Sequence, residues 1–178
     1  IIDEFEFRRV RIEGVFLHDR EMFLGARSLM GHLGYHVITP LRRADGSLIL
    51  VDRGWIPLDY KDPTLRAAAQ SGGTVLLEGA LRTGGRKGRF TPDNVPKNNF
   101  WFYVDLPAMA SYAGLEPLAT WYVEAGDFPN PGGFPVGGQL KVDLPNDHLE
   151  YAVTWYSLAL VLFVIYLIHS TKHEEKGA

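Results

Sequence analysis

His148 stands at the start of a long apolar segment, where the sequence reads NDHLEY at 146–151. At helical spacing, Tyr151 and Trp155 share one face with His148. A histidine nitrogen is an axial ligand of haem iron, and an aromatic surface suits a flat apolar cofactor. Two interpretations stay open: a ligand of haem iron with the two aromatic residues packed near the macrocycle, or an interfacial histidine in an aromatic belt.

A second group that could do chemistry is Arg53-Gly54-Trp55, which ends a predicted strand before Pro57. A buried arginine needs a carboxylate or carbonyl partner, and the glycine lets the indole of Trp55 lie across a closely approaching backbone. This structural use is one interpretation. In the other, the planar guanidinium of Arg53 binds a carboxylate, such as a porphyrin propionate or an acidic residue of a partner.

The other histidines are less promising as ligands. The sequence lacks the HxH and HExxH motifs of zinc sites, and His18, His32 and His36 lie on or beside predicted strands. We expect these three to be surface or hydrogen-bonded imidazoles. No nucleophile elbow, ordered Ser-His-Asp set or paired-carboxylate motif is present, so an enzyme is not expected.

Residues 130–138, NPGGFPVGG, are too rich in proline and glycine for a core element. They lack the Lys-Ser/Thr ending of a phosphate-binding loop, which excludes a nucleotide loop of that type. The segment is either a plain connector or an ordered loop that contacts a membrane or a partner.

Composition narrows the class of protein. The 178 residues are 46% hydrophobic and 22% charged, with a net charge of −3, which suits one domain with one core. The absence of cysteine excludes disulfides, thiolate nucleophiles and cysteine-based metal or iron–sulfur sites. No basic stripe is present, so nucleic acid is not an expected partner.

Period-two alternation and turn residues predict a mainly β domain that must position these residues, either a small antiparallel barrel or a curved sheet. Asp45-Gly46 predicts a hairpin turn. Short helices are predicted at Pro63–Gln70 and at Leu106–Tyr112, the second capped by Asp105 and ended by Gly114. Loops are predicted at 84–99 and 128–138. The predicted strands are Glu6–Leu17, Glu21–Leu29, Tyr35–Arg42, Leu48–Trp55, Thr74–Leu81, Phe100–Val104, Thr120–Glu124 and Gln139–Val142.

The segment Tyr151–Ser170 has no Asp, Glu, Lys, Arg, Gly or Pro, and its length of about 30 Å as a helix predicts a transmembrane span. The predicted organisation is a β-rich domain at 1–143, the span with its first turn at 144–170, and a tail at 171–178. Lys172 and Lys176 favour a cytoplasmic tail. Because the chain starts at Ile1, we interpret it as a segment of a longer protein.

Several fragments together resemble the Surfeit locus protein 1 family of cytochrome c oxidase assembly factors, most closely its bacterial members. They cover nearly the whole chain in the order found in the family. The fragments are FRRVRIEGVFLHDREMFLGARS at 7–28, GYHVITPLRRADGSLILVDRGWIPLD at 34–59, LEGALR at 77–82, NFWFYVDLPAMA at 99–110, NPGGFPVGG at 130–138 and LPNDHLEYAVTWYSLA at 144–159.

The resemblance implies two membrane helices flanking a domain in the periplasm or intermembrane space, the first helix being absent from this chain. It implies a non-enzymatic role in placing haem a into oxidase subunit I, with haem A synthase or other respiratory subunits as further partners. His148 matches the histidine proposed to contact haem a. Asp147 and Glu150 depart from the commoner Asn and Gln and place two acidic groups beside His148. The alternative is a scaffold that stabilises the oxidase, or a respiratory supercomplex, without binding haem.

Overall fold

Seven β-strands and two α-helices are present within residues 5–70, 72–85, 87–115, 118–139 and 148–174, which the computed structural model describes. The helices are α1 (Leu106–Ala113) and α2 (His148–Glu174). The strands are β1 (Arg9–Phe16), β2 (Met22–Leu29), β3 (His32–Arg42), β4 (Leu48–Pro57), β5 (Thr74–Thr83), β6 (Phe100–Trp101) and β7 (Leu118–Ala125). The mainly β prediction is confirmed.

Five of the strands form a closed barrel. Strands β1, β5, β7, β4 and β3 are hydrogen-bonded in that order, and the pairing of β1 with β3 closes the ring. Within the barrel, the expected antiparallel arrangement is wrong for one pair, because β4 and β7 run parallel. Outside the barrel, β2 and β6 are also parallel. A closed ring with an odd number of strands cannot alternate direction at every joint, so one joint has to be parallel.

The buried apolar side chains of the described residues form three clusters, and alternate residues of the barrel strands build the two largest, an inner and an outer core. The inner core draws on all five strands and therefore fills the barrel, with Ile49 and Val51 of β4 facing Leu77 and Val123. The outer core contains Leu50, the residue between those two, together with Trp101 and residues of α1. Strand β2, hydrogen-bonded to β3, and the short β6 extend the sheet beyond the barrel. The α1 helix thus covers one outer face.

Local signals fix the turns and the ends of the helices. The side chain of Asp45 accepts a hydrogen bond from the backbone N–H of Ser47 at 2.9 Å, and Gly46 has a φ of 80°, which confirms the hairpin turn. Asp105 caps α1 by accepting from the N–H of Ala108 at 3.1 Å, and Gly114 ends that helix with a φ of 64°.

Two predicted elements differ in type or length. The helix predicted at Pro63–Gln70 is a 3-10 helix over Pro63–Ala69. The sixth strand ends at Trp101 rather than Val104, because the side-chain oxygen of Asn94 accepts hydrogen bonds from the N–H groups of the next two residues, at 2.8 and 3.3 Å. Further 3-10 helices lie at His18–Arg20, Leu58–Lys61 and Pro96–Asn98.

The loop predictions hold for the described residues. Residues 84–99 contain one 3-10 helix and otherwise no helix or strand where they are described, and residues 128–138 form a loop with one β-bridge. In the predicted strand Gln139–Val142, Gln139 is not in a strand, and the other residues lie outside the described part of the chain.

The chain divides into two compact units, Ile1–Lys141 and Val142–Ala178. In the second, α2 begins at His148 and continues to Glu174. Within the described residues, no helix combines the length and the apolar character needed to cross a membrane. The helix predicted at Tyr151–Ser170 is confirmed, and its crossing of a membrane stays a prediction. The predicted domain limits stay predictions.

Candidate functional site

Arg53 lies at the centre of a buried ionic cluster, with only 4% of its surface exposed. Its Nη1 atom donates to Oε1 of Glu21 at 3.3 Å. Arg66 binds both carboxylate oxygens of Glu21, at 3.1 and 2.6 Å, which is the two-pronged geometry that makes arginine–carboxylate pairs strong. Glu21 also lies 3.5 Å from Nδ1 of His18 and from the hydroxyl of Thr39. One carboxylate thus joins two buried guanidinium groups.

The charges in this cluster stabilise one another. Burial raises the pKa of Glu21, but hydrogen bonds from His18 and Arg66 and the positive charges of Arg66 and Arg53 outweigh it, so the pKa lies below its usual value. Burial lowers the pKa of Arg53 to about 10, against the opposing effect of Glu21. Both groups are therefore charged at neutral pH.

The loop at 128–138 is tied to the same arginine. Nη2 of Arg53 donates to the backbone oxygen of Ala69 at 2.7 Å and to Oδ1 of Asn130 at 2.9 Å. The amide nitrogen of Asn130 in turn donates to the backbone oxygen of Pro135 at 2.6 Å. Arg53 therefore orders the loop and does not merely lie near it.

Gly54 allows the loop backbone to pass directly over β4. It has a φ of 115°, and a Cβ atom placed there would lie 2.0 Å from the backbone oxygen of Val136. Next to this contact, the backbone N–H of Trp55 donates to the oxygen of Val136 at 2.9 Å, and the N–H of Val136 donates to the oxygen of Trp55 at 2.8 Å. The predicted close backbone approach at the Gly–Trp step is present, and the backbone involved is that of the proline- and glycine-rich loop.

The indole of Trp55 is 6% exposed. Its Nε1 atom donates to the backbone oxygen of Arg27 at 3.4 Å, and its ring lies 6.3 Å from that of Phe134. Gly34 leaves room for this indole, since a Cβ atom there would lie 2.6 Å from the ring. Trp55 thus packs within the β-domain. A role for Arg53 and Trp55 in cofactor binding stays a prediction, and their contacts in this structure are internal.

The predicted haem-binding residues belong to α2. His148 is its first residue, and its side chain lies outside the described part of the structure. Tyr151 and Trp155 are 65% and 69% exposed and lie one turn apart. Two aromatic side chains on the first turns of α2 are therefore accessible in this chain.

A polar cavity of about 310 Å³, which the sequence did not predict, opens on the outer face of the barrel; His36, Asp52, Arg82, Tyr122 and Glu124 line it. Nδ1 of His36 lies 2.8 Å from Oδ2 of Asp52. Nη1 of Arg82 donates to Oε2 of Glu124 at 2.8 Å. Burial and the charge of Asp52 raise the pKa of Glu124. One signal in the sequence could have found this cavity. Alternate residues of a strand face the same side, so Asp52 faces the same side as Leu50, and Glu124 the same side as Tyr122.

Among the described residues, no group of three or more His, Asp or Glu side chains is placed to hold a metal ion. His32 and His36 both lie on β3, and four residues of strand separate their positions by about 13 Å. The hydrogen-bonded imidazole expected at His36 is present.

Comparison with known proteins gives one consistent result. The model of the SURF1 family matches residues 1–160. A SURF1-like protein of Monosiga brevicollis is 40% identical over 174 residues, which cover 91% of this chain and 66% of that protein. Surfeit locus protein 1 of Mus musculus is 38% identical, covering 86% of this chain and 54% of that protein. The Homo sapiens protein of the same name is 35% identical, covering 86% and 56%.

The chain thus spans between about half and two thirds of the length of these relatives. The matched residues 1–160 include Arg53-Gly54-Trp55, the loop at 130–138 and the first turns of α2. All three relatives are eukaryotic, and the expected likeness to bacterial members stays a prediction.

Proposed function

Because this chain belongs to the SURF1 family, we propose that it is an assembly factor for haem–copper cytochrome c oxidase. In this role it assists the binding of haem a, or its insertion into subunit I. The observation that carries the proposal is the family match itself, which extends through residue 160 and so includes His148 and the first turns of α2. Haem A synthase or other respiratory subunits are proposed as further partners.

The proposed haem site is the N-terminal part of α2. His148 supplies an axial or transient ligand to the iron, and Tyr151 and Trp155 pack near the macrocycle. The helical start at His148 and the exposure of both aromatic side chains support this arrangement. Burial of the porphyrin supplies most of the affinity, and the iron bond fixes its orientation.

The test is the haem that co-purifies with the protein. His148→Ala is expected to lower the amount of bound haem and to shift its Soret band, because the axial nitrogen is lost. His169→Ala is the matched control, since it removes a histidine near the other end of α2. An unchanged amount of haem with an unchanged Soret band in His148→Ala refutes the ligand role.

We also propose that α2 attaches the protein to the bacterial or mitochondrial inner membrane. The β-domain then lies on the periplasmic or intermembrane-space side, and the tail in the cytoplasm or matrix. The support is the exposure of large apolar side chains along the helix, which a polar solvent disfavours. They include Val153, Leu158, Leu160, Val161, Leu162, Phe163, Val164 and Ile165.

The burial of Arg53 and Trp55 favours a second candidate function, a scaffold that holds the oxidase without touching haem. Both residues lie in the part of the chain that the family model matches, and both make internal contacts that order the loop at 128–138. Purified protein that binds the oxidase and never takes up haem supports the scaffold. Haem uptake that depends on His148 refutes it.

A further inference from the structure

The carboxylates that line the polar cavity each have a basic partner. Asp52 pairs with His36, and its other oxygen accepts from the backbone N–H of Gly54 at 2.9 Å. Arg82 pairs with the other two carboxylates, donating to Glu124 at 2.8 Å and to Glu6 at 3.3 Å. Each of these acidic groups therefore already has a hydrogen-bond partner within the protein.

Two donors at the same cavity are left without an acceptor. Arg27 lines the cavity and is half-buried, and its guanidinium makes no hydrogen bond or ion pair with any residue that the structure describes. Tyr122, 7% exposed, has a hydroxyl with no hydrogen-bond partner among those residues. Burial raises the pKa of Tyr122 to about 12, so the hydroxyl keeps its proton at neutral pH. The unused groups therefore match an anionic acceptor.

The backbone places Arg27 at the cavity. Strand β2 carries a bulge between Leu24 and Arg27, where its register with β3 shifts and Ala26 takes a φ of 56°. Such bulges redirect the side chain that follows them. Tyr122 lines the same cavity, so the two donors face one space.

An apolar groove of about 910 Å³ adjoins the cavity, between α1, the start of the loop at 84–99 and β7. Gly84, Gly85, Tyr103 and Val104 line both spaces, which places the groove directly beside the cavity. Its remaining apolar wall consists of Leu106, Pro107, Ala110 and Ala119. A polar end that offers donors and an apolar end of this size suit one amphipathic molecule.

We infer that this cleft binds an amphipathic carboxylate, whose carboxylate group is held by Arg27 and Tyr122 and whose apolar body lies in the groove. The planar guanidinium forms two parallel hydrogen bonds to a carboxylate, which fixes the orientation of the ligand. The site lies wholly in the β-domain, and the inference does not depend on the proposed role of His148.

The experiment titrates the full chain, in a neutral glycosidic detergent, with octanoate labelled with ¹³C at its carboxyl carbon and followed by NMR. Saturable binding is expected, and Arg27→Gln is expected to weaken it about tenfold or more, because a charge-assisted pair is lost. Arg9→Gln, which removes an exposed arginine from β1, is the matched control and should bind like the parent. Partition into detergent is the same for every variant.

Three further titrations test the need for a negative charge on the ligand, the role of the groove, and the kind of apolar body that the cleft accepts. Octanol and octyltrimethylammonium should bind at least about tenfold more weakly than octanoate. Thr120→Trp, at an exposed position that lines the groove, should weaken octanoate and leave acetate unaffected. Protoporphyrin IX replaces octanoate in a parallel titration, so that an acyl chain and a carboxylate-bearing macrocycle are distinguished.

Binding that is equally strong in Arg27→Gln overturns the inference, and so does the absence of saturable binding for both probes. Arg27→Lys keeps the charge and should retain part of the affinity, which separates a lost contact from a misfolded variant. Near-ultraviolet circular dichroism of each variant checks the fold. Loss of haem in His148→Ala with octanoate binding intact would show that the two sites are separate.

Discussion

Nη2 of Arg53 lies 2.9 Å from Oδ1 of Asn130, although 77 positions separate the two residues in the sequence. This bond joins β4 to the loop at 128–138. Next to it, the backbone of Gly54 contacts that of Val136. Two segments that look independent in the sequence are therefore one structural unit.

Glu21→Gln should destabilise the protein by about 3–5 kcal/mol, because it leaves two buried arginines without their carboxylate. Denaturant unfolding followed by tryptophan fluorescence measures the change. Glu78→Gln is the matched control: its partner Arg11 is exposed, and loss of such a pair costs less than about 1 kcal/mol. Equal losses in the two variants would contradict the central role of Glu21.

The same carboxylate predicts how stability depends on pH. The pKa of Glu21 is lower in the folded protein than its usual value of 4.5. The ionised carboxylate therefore stabilises the folded protein at pH values above this usual pKa. This stabilisation is lost as the pH falls through the pKa of the folded protein. We expect the free energy of unfolding of the parent to fall more steeply below about pH 4.5 than that of Glu21→Gln. Parallel curves would contradict this expectation.

Gly54→Ala should cost about 2 kcal/mol or more, because the added Cβ atom meets the backbone of Val136 and the φ of Gly54 disfavours a side chain. Faster amide hydrogen exchange at Val136 should accompany the loss, since its N–H is bound to Trp55. Gly72→Ala is the control. A Cβ atom at Gly72 would have no atom within 4 Å apart from those of its chain neighbours, so the stability of this variant should be nearly that of the parent.

Leu160→Lys combined with Val164→Lys should release the protein from membranes. Both side chains are exposed on α2, and moving a charged lysine from water into the apolar part of a bilayer is strongly unfavourable. Alkaline carbonate extraction of membranes measures the released fraction. Leu65→Lys, at an exposed position of the β-domain, should leave that fraction unchanged. Complete release of the parent under the same conditions would contradict membrane attachment through α2.

Features set by neighbouring residues could be predicted from the sequence. The hairpin turn at Asp45-Gly46 and the start of α1 follow from side chains that hydrogen-bond within a few positions, and Gly114 ends α1 through its positive φ. Short windows therefore contain the whole signal. The parallel pairing of β4 with β7 could not be predicted, because it depends on how five distant strands close a ring.

The polar cavity was missed for a similar reason. His36, Asp52, Arg82 and Glu124 come from four different strands, and each alone is typical of a solvent-exposed strand position. The buried position of Arg53 was one of two interpretations open from the sequence. The carboxylate that neutralises it, Glu21, lies 32 positions away, and no local pattern identifies it.

The place of β7 in the barrel has a consequence for biosynthesis. This strand lies between β5 and β4, although it follows both in the sequence. A nascent chain that emerges with its N-terminus first therefore cannot close the barrel until residue 125 is available. Until then β4 and β5 each present an unpaired edge, which invites association with other chains. A chain that terminates before residue 118 would lack β7, so the edges of β4 and β5 would stay unpaired permanently.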